Sequence, residues 1–362
     1  MRGSSEIPRE WNLFSSYCEV SAGAFSPIIQ KEEARGIIVP CHNPLGVNII
    51  TCKNPHISDF LSESNGLALD LNLTSDINKL PAYIPILDYG TRNIGLPFPV
   101  VGLTFWDIIS KGVKLNAGCF HEEAEIRFKQ KILESTGFDN KKTLLFLTGA
   151  DTLIEWLWYN RTECDLFYTL KQMGFWAVGG INFSVVGGEC PFSHALNLKR
   201  SLLSSKLTED VGLLAIPHVY ALSKFQIEKW IHWFHANPSV RVFTINCQLQ
   251  KKSSDIEQVV IAVKSILNSV PNLHVILQGF RLHLIEEFGE YIERIHVADK
   301  KPVKFAQNKR KILFDIKRNL LADEYEPNMS LNELVEFNVL SRYAYFENIQ
   351  RRAQAGFYKK AS

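Results

Sequence analysis

Eight residues that can bind a proton, a metal or a hydrogen bond each close a short apolar run: Asp88, Asp107, Asp151, Asn182, His218, Asn246, Gln278 and Asp299. Carboxylates and imidazoles are the side chains that move protons or attack electrophiles near neutral pH. Asp88 and Asp299 are therefore the candidates for nucleophile or general base, and His218 for acid–base work. Asn182, Asn246 and Gln278 suit the orientation of polar substrate groups. Asp and Asn also end strands as turn formers or helix caps for structural reasons alone, and Asp107 in "FWDIIS" and Asp151 before "TLIEWLWY" fit that reading. His218 and Asn246 differ, because the apolar run continues past each in "IPHVY" and "FTINCQLQ".

A glycine-rich stretch, "GFWAVGGINFSVVGGECP", adds candidate binding residues. Glycine inside a strand weakens it and marks a bulge or a place where a ligand or a backbone approaches closely. Gly179 and Gly180, with Asn182 and Ser184 on one face beyond them, are expected to line a ligand; a tight corner without a ligand is the structural alternative. Segment 299–318 carries eight basic residues against Asp299 and Asp315. Lys300 and Lys301 are expected to hold phosphate, with Lys199 and Arg200 joining the same field. A nucleic-acid backbone is the other partner such a cluster suits, and a solvated helix surface is the structural alternative. A divalent metal between the carboxylates and His218 is compatible with the side chains, but no spacing supports one, so the cofactor is unassigned. Cys41, His42, Cys52 and His56 have zinc-ligand chemistry without a spacing that suits one tetrahedral site. P-loop, G-x-S-x-G and H-E-x-x-H motifs are missing.

These residues need elements to position them. Apolar, β-branched runs recur as "AYIPILD", "VVGLTFWD", "TLLFLTGAD", "WAVGGIN", "GLLAIPH", "VRVFTIN", "NLHVILQG" and "RIHVAD". From the third onward the spacing is about that of a βα unit. "SKFQIEKWIHWFHAN" reads as an amphipathic helix capped by Ser223, with Gln226 three residues later. "SSDIEQVVIAVKSILNSVPN" reads as another, capped at Ser254 or Asp255 and stopped at Pro271. Runs apolar on both faces suit parallel strands covered by helices, and eight of them predict a TIM-like (β/α)8 barrel. The joint between the first two is irregular, since "YGTRNIGLPFP" is too short and too rich in proline for a crossover helix; an open doubly wound sheet is the alternative. In a barrel the strand ends meet at one mouth, which makes the eight run-closing residues a single site.

The barrel is expected over residues 79–305, after an irregular extension (1–78) and before a basic helical one (306–362). The chain has 362 residues, formal net charge +2 and 46% hydrophobic residues, enough for a large core. Apolar runs long enough to span a membrane, and a secretory leader, are lacking. Seven irregularly spaced cysteines suggest reduced thiols in a cytosolic compartment.

Two resemblances add to this. "INFSVVGGECPFSHALNLKRSLL" followed by "VGLLAIPHVYALSKFQIEKWIHWF" resembles an uncharacterised bacterial family with N-F-S, N-x-K-R-S and I-P-H motifs. The matching positions are Asn182, Phe183, Ser184, Asn197, Lys199, Arg200, Ser201, Pro217 and His218. The family brings no activity with it. "GFWAVGGINFSVVGGE" is similar to the base-binding strand of tRNA-guanine transglycosylases, which are TIM barrels. That likeness implies that Gly179 and Gly180 read a base and that an aspartate attacks a ribose, although the cysteine-rich zinc site of those enzymes is missing. The expected function is a cytosolic barrel enzyme acting on a phosphate-bearing, nucleotide- or nucleic-acid-related substrate, by carboxylate/histidine acid–base or glycosyl-transfer chemistry. A non-enzymatic nucleic-acid binder and an inactive barrel are the rival readings.

Overall fold

The structure is a computed structural model that describes residues 66–77, 79–88, 91, 94–105, 142–149, 154, 157–158, 161–162, 165–185, 191–250 and 252–361. Each apolar run forms a parallel strand: β1 (Tyr83–Pro85), β2 (Val100–Thr104), β3 (Lys142–Phe146), β4 (Ala177–Gly179), β5 (Leu214–Ile216), β6 (Val242–Asn246), β7 (His274–Gln278) and β8 (Ile295–Asp299). Between them lie α1 (Leu166–Gln172), α2 (Pro191–Asp210), α3 (Lys224–Ala236), α4 (Ser253–Ser269) and a 3₁₀ segment (Leu282–Arg294). The chain is thus a mixed α/β protein with parallel sheets. One sheet has the order β2-β3-β4-β5 and the other β1-β8-β7-β6. Single parallel bridges, Ile86 to Gly102 and His218 to Thr244, link β1 with β2 and β5 with β6.

Side chains alternate along these strands, so each strand has two faces. One face supplies an inner cluster that includes Ile84, Val100, Leu144, Ala177, Ile216, Val242, Ile276 and Ala298, one or more residues from each of β1–β8. The other face, with Leu145, Val178, Phe243, Val275 and Val297, packs against the helices in a larger cluster. Burying each such side chain contributes about 1.5–3 kcal/mol, which is why these runs are apolar on both faces.

Helix ends follow their sequence signals. The Ser223 hydroxyl accepts the Gln226 N–H (3.3 Å) and the Gln226 side chain accepts the Leu222 N–H (2.6 Å), so Ser223 caps α3 as expected. Helix α4 begins one residue before the expected caps, and Asp255 instead accepts the Lys252 N–H at 3.3 Å. The short joint between β1 and β2 is spanned without a helix among its described residues. Ile94, Leu96 and Phe98 alternate with exposed neighbours and bury into the outer cluster where a helix would otherwise lie.

Before β1, residues 66–77 form an extended strap over the α2 and α3 region. Trp233 Nε1 donates to Leu71 O (2.8 Å), Leu73 N to Asn237 Oδ1 (2.9 Å), and the Ser75 hydroxyl accepts Ala215 N (2.9 Å). Ile77 then enters the inner cluster. After β8, the segment expected to be helical holds α5 (Lys301–Gln307), an antiparallel hairpin of β9 (Arg310–Asp315) and β10 (Leu320–Tyr325), and α6 (Leu331–Ala361). Buried Asn338 of α6 ties these together: it accepts Ile312 N (2.6 Å) and donates to Arg310 O (2.9 Å) and Pro302 O (3.2 Å).

Candidate functional site

Continuing the inner face of each strand to its C-terminal end changes its chemistry. Past the apolar cluster come Asp88 after β1, Thr104 on β2, His218 after β5, Thr244 and Asn246 on β6, Gln278 on β7 and Lys300 after β8. Asp88, Thr104, His218, Thr244 and Gln278 are buried. Among the eight run-closing residues, Asp88, His218, Asn246 and Gln278 are thereby brought to one end of the inner face. Asp107 and Asp151 lie outside the described residues.

His218 is held as a neutral imidazole. Its Nε2 accepts the Asn246 N–H at 3.2 Å, which leaves the ring proton on Nδ1. Burial pushes its pKa down to about 3. It therefore offers an N–H donor at neutral pH rather than a basic nitrogen. Asn246 folds its own side chain onto the Gln248 N–H (3.0 Å). Gln278 is oriented by a relay: the Thr244 hydroxyl donates to Ile276 O (3.1 Å), so its oxygen accepts from Gln278 Nε2 (2.7 Å). The amide oxygen of Gln278 is then left buried without a hydrogen bond. An unmet buried acceptor is costly unless a water or ligand donor completes it.

The two candidate catalytic carboxylates part company. Asp88 follows Ile84 and Ile86 on the inner face and accepts the side-chain amide of Gln307 from the end of α5. Asp299 follows Ala298 by one residue and so faces outward. Its Oδ2 accepts Arg342 Nε of α6 (2.5 Å) and the Tyr83 hydroxyl (3.0 Å), and its Oδ1 accepts Lys301 N (3.0 Å). These three bonds hold α6 against β1 and β8. The role of Asp299 as nucleophile or base is withdrawn on that geometry. Lys300 keeps an inner-face position, its Nζ 3.3 Å from Thr104 Oγ1, whereas Lys301 is exposed at the start of α5.

The glycine pair serves packing. A Cβ on Gly179 would press on Phe146 at 3.3 Å inside the sheet, and one on Gly180 would meet Ser205 Oγ at 2.6 Å and backbone atoms of Ser201 and His218 at 3.2 Å. Gly180 N already donates to Ile216 O (2.8 Å). At Gly180 what approaches is helix α2 together with the His218 backbone, whereas Gly179 stands on the inner face beside Phe146 and Thr244. Helix α2 presents small hydroxyls to this corner: Ser204 Oγ accepts Ile181 N (2.8 Å) and Ser201 Oγ donates to Ile181 O (2.7 Å), with His218 O at 3.3 Å.

The family-like motif positions converge on that same corner. Asn197 donates to Ser184 O (2.7 Å), Arg200 donates to Asn197 (3.1 Å), and the Arg200 guanidinium lies 3.9 Å from the centre of the Phe183 ring. Asn182 is half-buried and its N–H bonds Leu147 O (3.1 Å). Lys199 is fully buried, with its ammonium on Asp70 and Ala68 O (2.7 Å) of the strap. Lys199 and Arg200 therefore act as internal ties, which removes them from the substrate-binding set.

Charge in the C-terminal region is largely paired. The hairpin region 309–326 holds five basic and four acidic side chains. Arg310 pairs with Asp323 and Lys311 with Glu324 (3.8 Å) across the strands, and Arg318 with Asp315 (3.7 Å) at the tip. The run as counted included Asp315 but not Asp323 and Glu324, which lie beyond it and are brought opposite Arg310 and Lys311 by the hairpin register. Among the described residues, no three His, Cys, Asp or Glu side chains gather as metal ligands, and no helix is long and apolar enough to cross a membrane. Cys41, His42, Cys52 and His56 lie outside the described residues. Thr104, Thr244 and Gln307 were missed as site residues; alternation along "VVGLTFWD" and "VRVFTIN" was the signal for the first two.

No protein-family model matches the chain, and no curated protein matches it.

Proposed function

We propose that β1–β8 close into a (β/α)8 barrel whose C-terminal mouth binds and transforms a small polar substrate carrying a negative group. Every strand has a parallel neighbour on each side once the two bridges are included, and neighbours follow chain order. An open doubly wound sheet would reverse its order at a switch point. The observation that carries the functional reading is the switch of the inner face from apolar to polar at the C-terminal strand ends, where such barrels hold their sites.

In this reading Asp88 is the proton-transferring or attacking carboxylate, oriented by Gln307. His218 polarises a substrate oxygen as a neutral Nδ1–H donor. The amide oxygen of Gln278 takes a substrate N–H or O–H, and Lys300 offsets negative charge on the substrate or in the transition state. Asp88 and His218 belong to β1 and β5, four strands apart, so the substrate lies between them and no proton passes directly from one to the other.

Nucleoside monophosphates and sugar phosphates, screened for a rise in melting temperature, test the reading. At a ligand concentration of 100 Kd the native state gains about 2.7 kcal/mol. The stabilising compound is then followed for turnover. Lys300→Met should abolish the shift, and Asp88→Asn should keep it while lowering turnover by at least about a hundredfold. No stabilisation by any compound, or shifts untouched by Lys300→Met, would dismiss the proposal.

A further inference from the structure

We propose that β10 is a docking edge for a second copy of this chain, the two hairpins joining antiparallel about a two-fold axis into one four-stranded sheet. Main-chain parity fixes which groups of the hairpin point outward. Glu326 N donates to Lys309 O at 2.8 Å, one step beyond the pairing of Tyr325 with Arg310. Bonded and non-bonded pairs alternate along an antiparallel ladder. Leu320, Ala322 and Glu324 therefore bond across to β9, while Leu321, Asp323 and Tyr325 turn their N–H and C=O groups to the outer edge. β9 keeps the same parity on its own far side: Ile312 N and Arg310 O point outward there, and the Asn338 side chain of α6 takes both. The β9 edge is thus closed at these two groups by a buried side chain. Among the described residues no strand lies beyond β10 and nothing bonds its outward groups.

An open strand edge is a template for another strand, and proteins commonly blunt it with lysine, proline or a bulge. β10 has none of these within Leu320–Tyr325, and its ladder runs unbroken over six pairs. Ile316, Leu320 and Tyr325 are 66%, 55% and 67% exposed, three of the seven large apolar side chains exposed among the described residues and all on this hairpin. What complements the edge is the same edge run backwards. From tip to base it reads basic, apolar, acidic: Lys317 and Arg318, Leu320 and Leu321, Asp323 and Glu324. An antiparallel copy sets each basic end beside the acidic end of the other, whereas a parallel copy sets like against like. With Leu321 opposite its own mate at the axis, Leu320 faces Ala322 and Arg318 faces Glu324, and the symmetry makes each contact twice. Within the hairpin those two charges hold only long contacts, Arg318 to Asp315 at 3.7 Å and Glu324 to Lys311 at 3.8 Å, so both are able to turn to the new partner. Main-chain bonds supply the affinity of such an added strand and the charge order supplies the choice of partner. The interface is independent of what the mouth binds.

Sedimentation velocity of the full chain tests it at about 1 to 100 μM, the range suited to an interface below the standard size. A reversible monomer–dimer equilibrium is expected. Leu320→Lys places two ammonium groups beside the axis and should weaken association at least about tenfold, with the circular dichroism of the fold unchanged because the side chain is exposed. Arg318→Glu and Glu324→Arg should each weaken self-association to a similar degree. Mixed in equal amounts, these two variants should dimerise as the wild type does, because each mismatched contact becomes a matched one. If Leu320→Lys does not fold, the charge variants and their mixture decide. A monomer at every concentration overturns the proposal. So does a dimer indifferent to Leu320→Lys, or a mixture of the two charge variants that associates no better than either alone.

Discussion

His218 and His296 lie on the inner face at opposite ends of their strands, and burial holds their pKa values at about 3 and about 4. His296 accepts from His274 (3.0 Å) and donates through Nδ1 to Pro81 O (3.0 Å), so it too is neutral in the fold. The unfolded chain takes up these protons below about pH 6.5, while the native state refuses them until about pH 4 or 3. The stability they carry is therefore complete above about pH 6.5 and is lost as pH falls through that window, by about 1.4 kcal/mol per pH unit for each histidine. Urea unfolding of His296→Gln between pH 6.5 and 5 should show a slope shallower by about one proton; an unchanged slope would refute the assignment. Gly180→Ala should destabilise by roughly 1–3 kcal/mol through overpacking, and Ser205→Ala in the same chain should restore part of the loss. A full restoration would mean that the Ser201 and His218 backbone tolerates the added methyl. At this scale the sequence was legible where alternation and chemistry agreed. Reading the last polar residue of each run picked His218, Asn246 and Gln278, which fall on the inner face at the C-terminal strand ends. It misplaced Asp299, because facing is set by parity with Ala298 and not by position at the end of the run.

Helix α2 is an element whose polar residues work inside the fold. Its serines, at 201, 204 and 205, look like surface polarity in one dimension and are buried against the ends of β4 and β5. They satisfy backbone groups where the strands diverge, and that work lets His218 and Asn182 leave the sheet in a fixed direction. The hairpin is the opposite case, since a one-dimensional count of charge omitted β10. Its cross-strand pairs are half-exposed and each is worth little in stability, about 0–1 kcal/mol, but they set the local field. Asp323→Asn with Glu324→Gln should leave the melting temperature nearly unchanged and raise affinity for duplex DNA at low salt, read by fluorescence anisotropy. An unaltered affinity would show that the remaining hairpin cations do not reach a phosphate backbone. The extended crossover before β2 was foreseen as an irregularity; that alternate burial of Ile94, Leu96 and Phe98 would replace a helix was not, because three apolar residues among prolines carry no helical or strand period.

Across the whole molecule the recurring apolar runs conveyed the α/β plan, because each strand is buried on both faces and so announces itself. Packing contacts run across the change in composition near residue 78, since composition follows exposure rather than contact. Residues 66–77 are polar and irregular in sequence, yet they supply Leu73 and Ile77 to the interior and the counter-ion of Lys199. Asp70→Asn should lower stability by about 1–2 kcal/mol, the loss of a charged partner that is itself half in solvent, measured by urea unfolding at pH 7. The strap also decides where this polypeptide can be shortened. A product beginning at Lys79 would open the floor of the sheet to water, strand a lysine ammonium in an apolar wall and free the Ala215 amide. It should therefore be recovered as an aggregate, whereas trimming ahead of Gly66 leaves every one of those contacts in place.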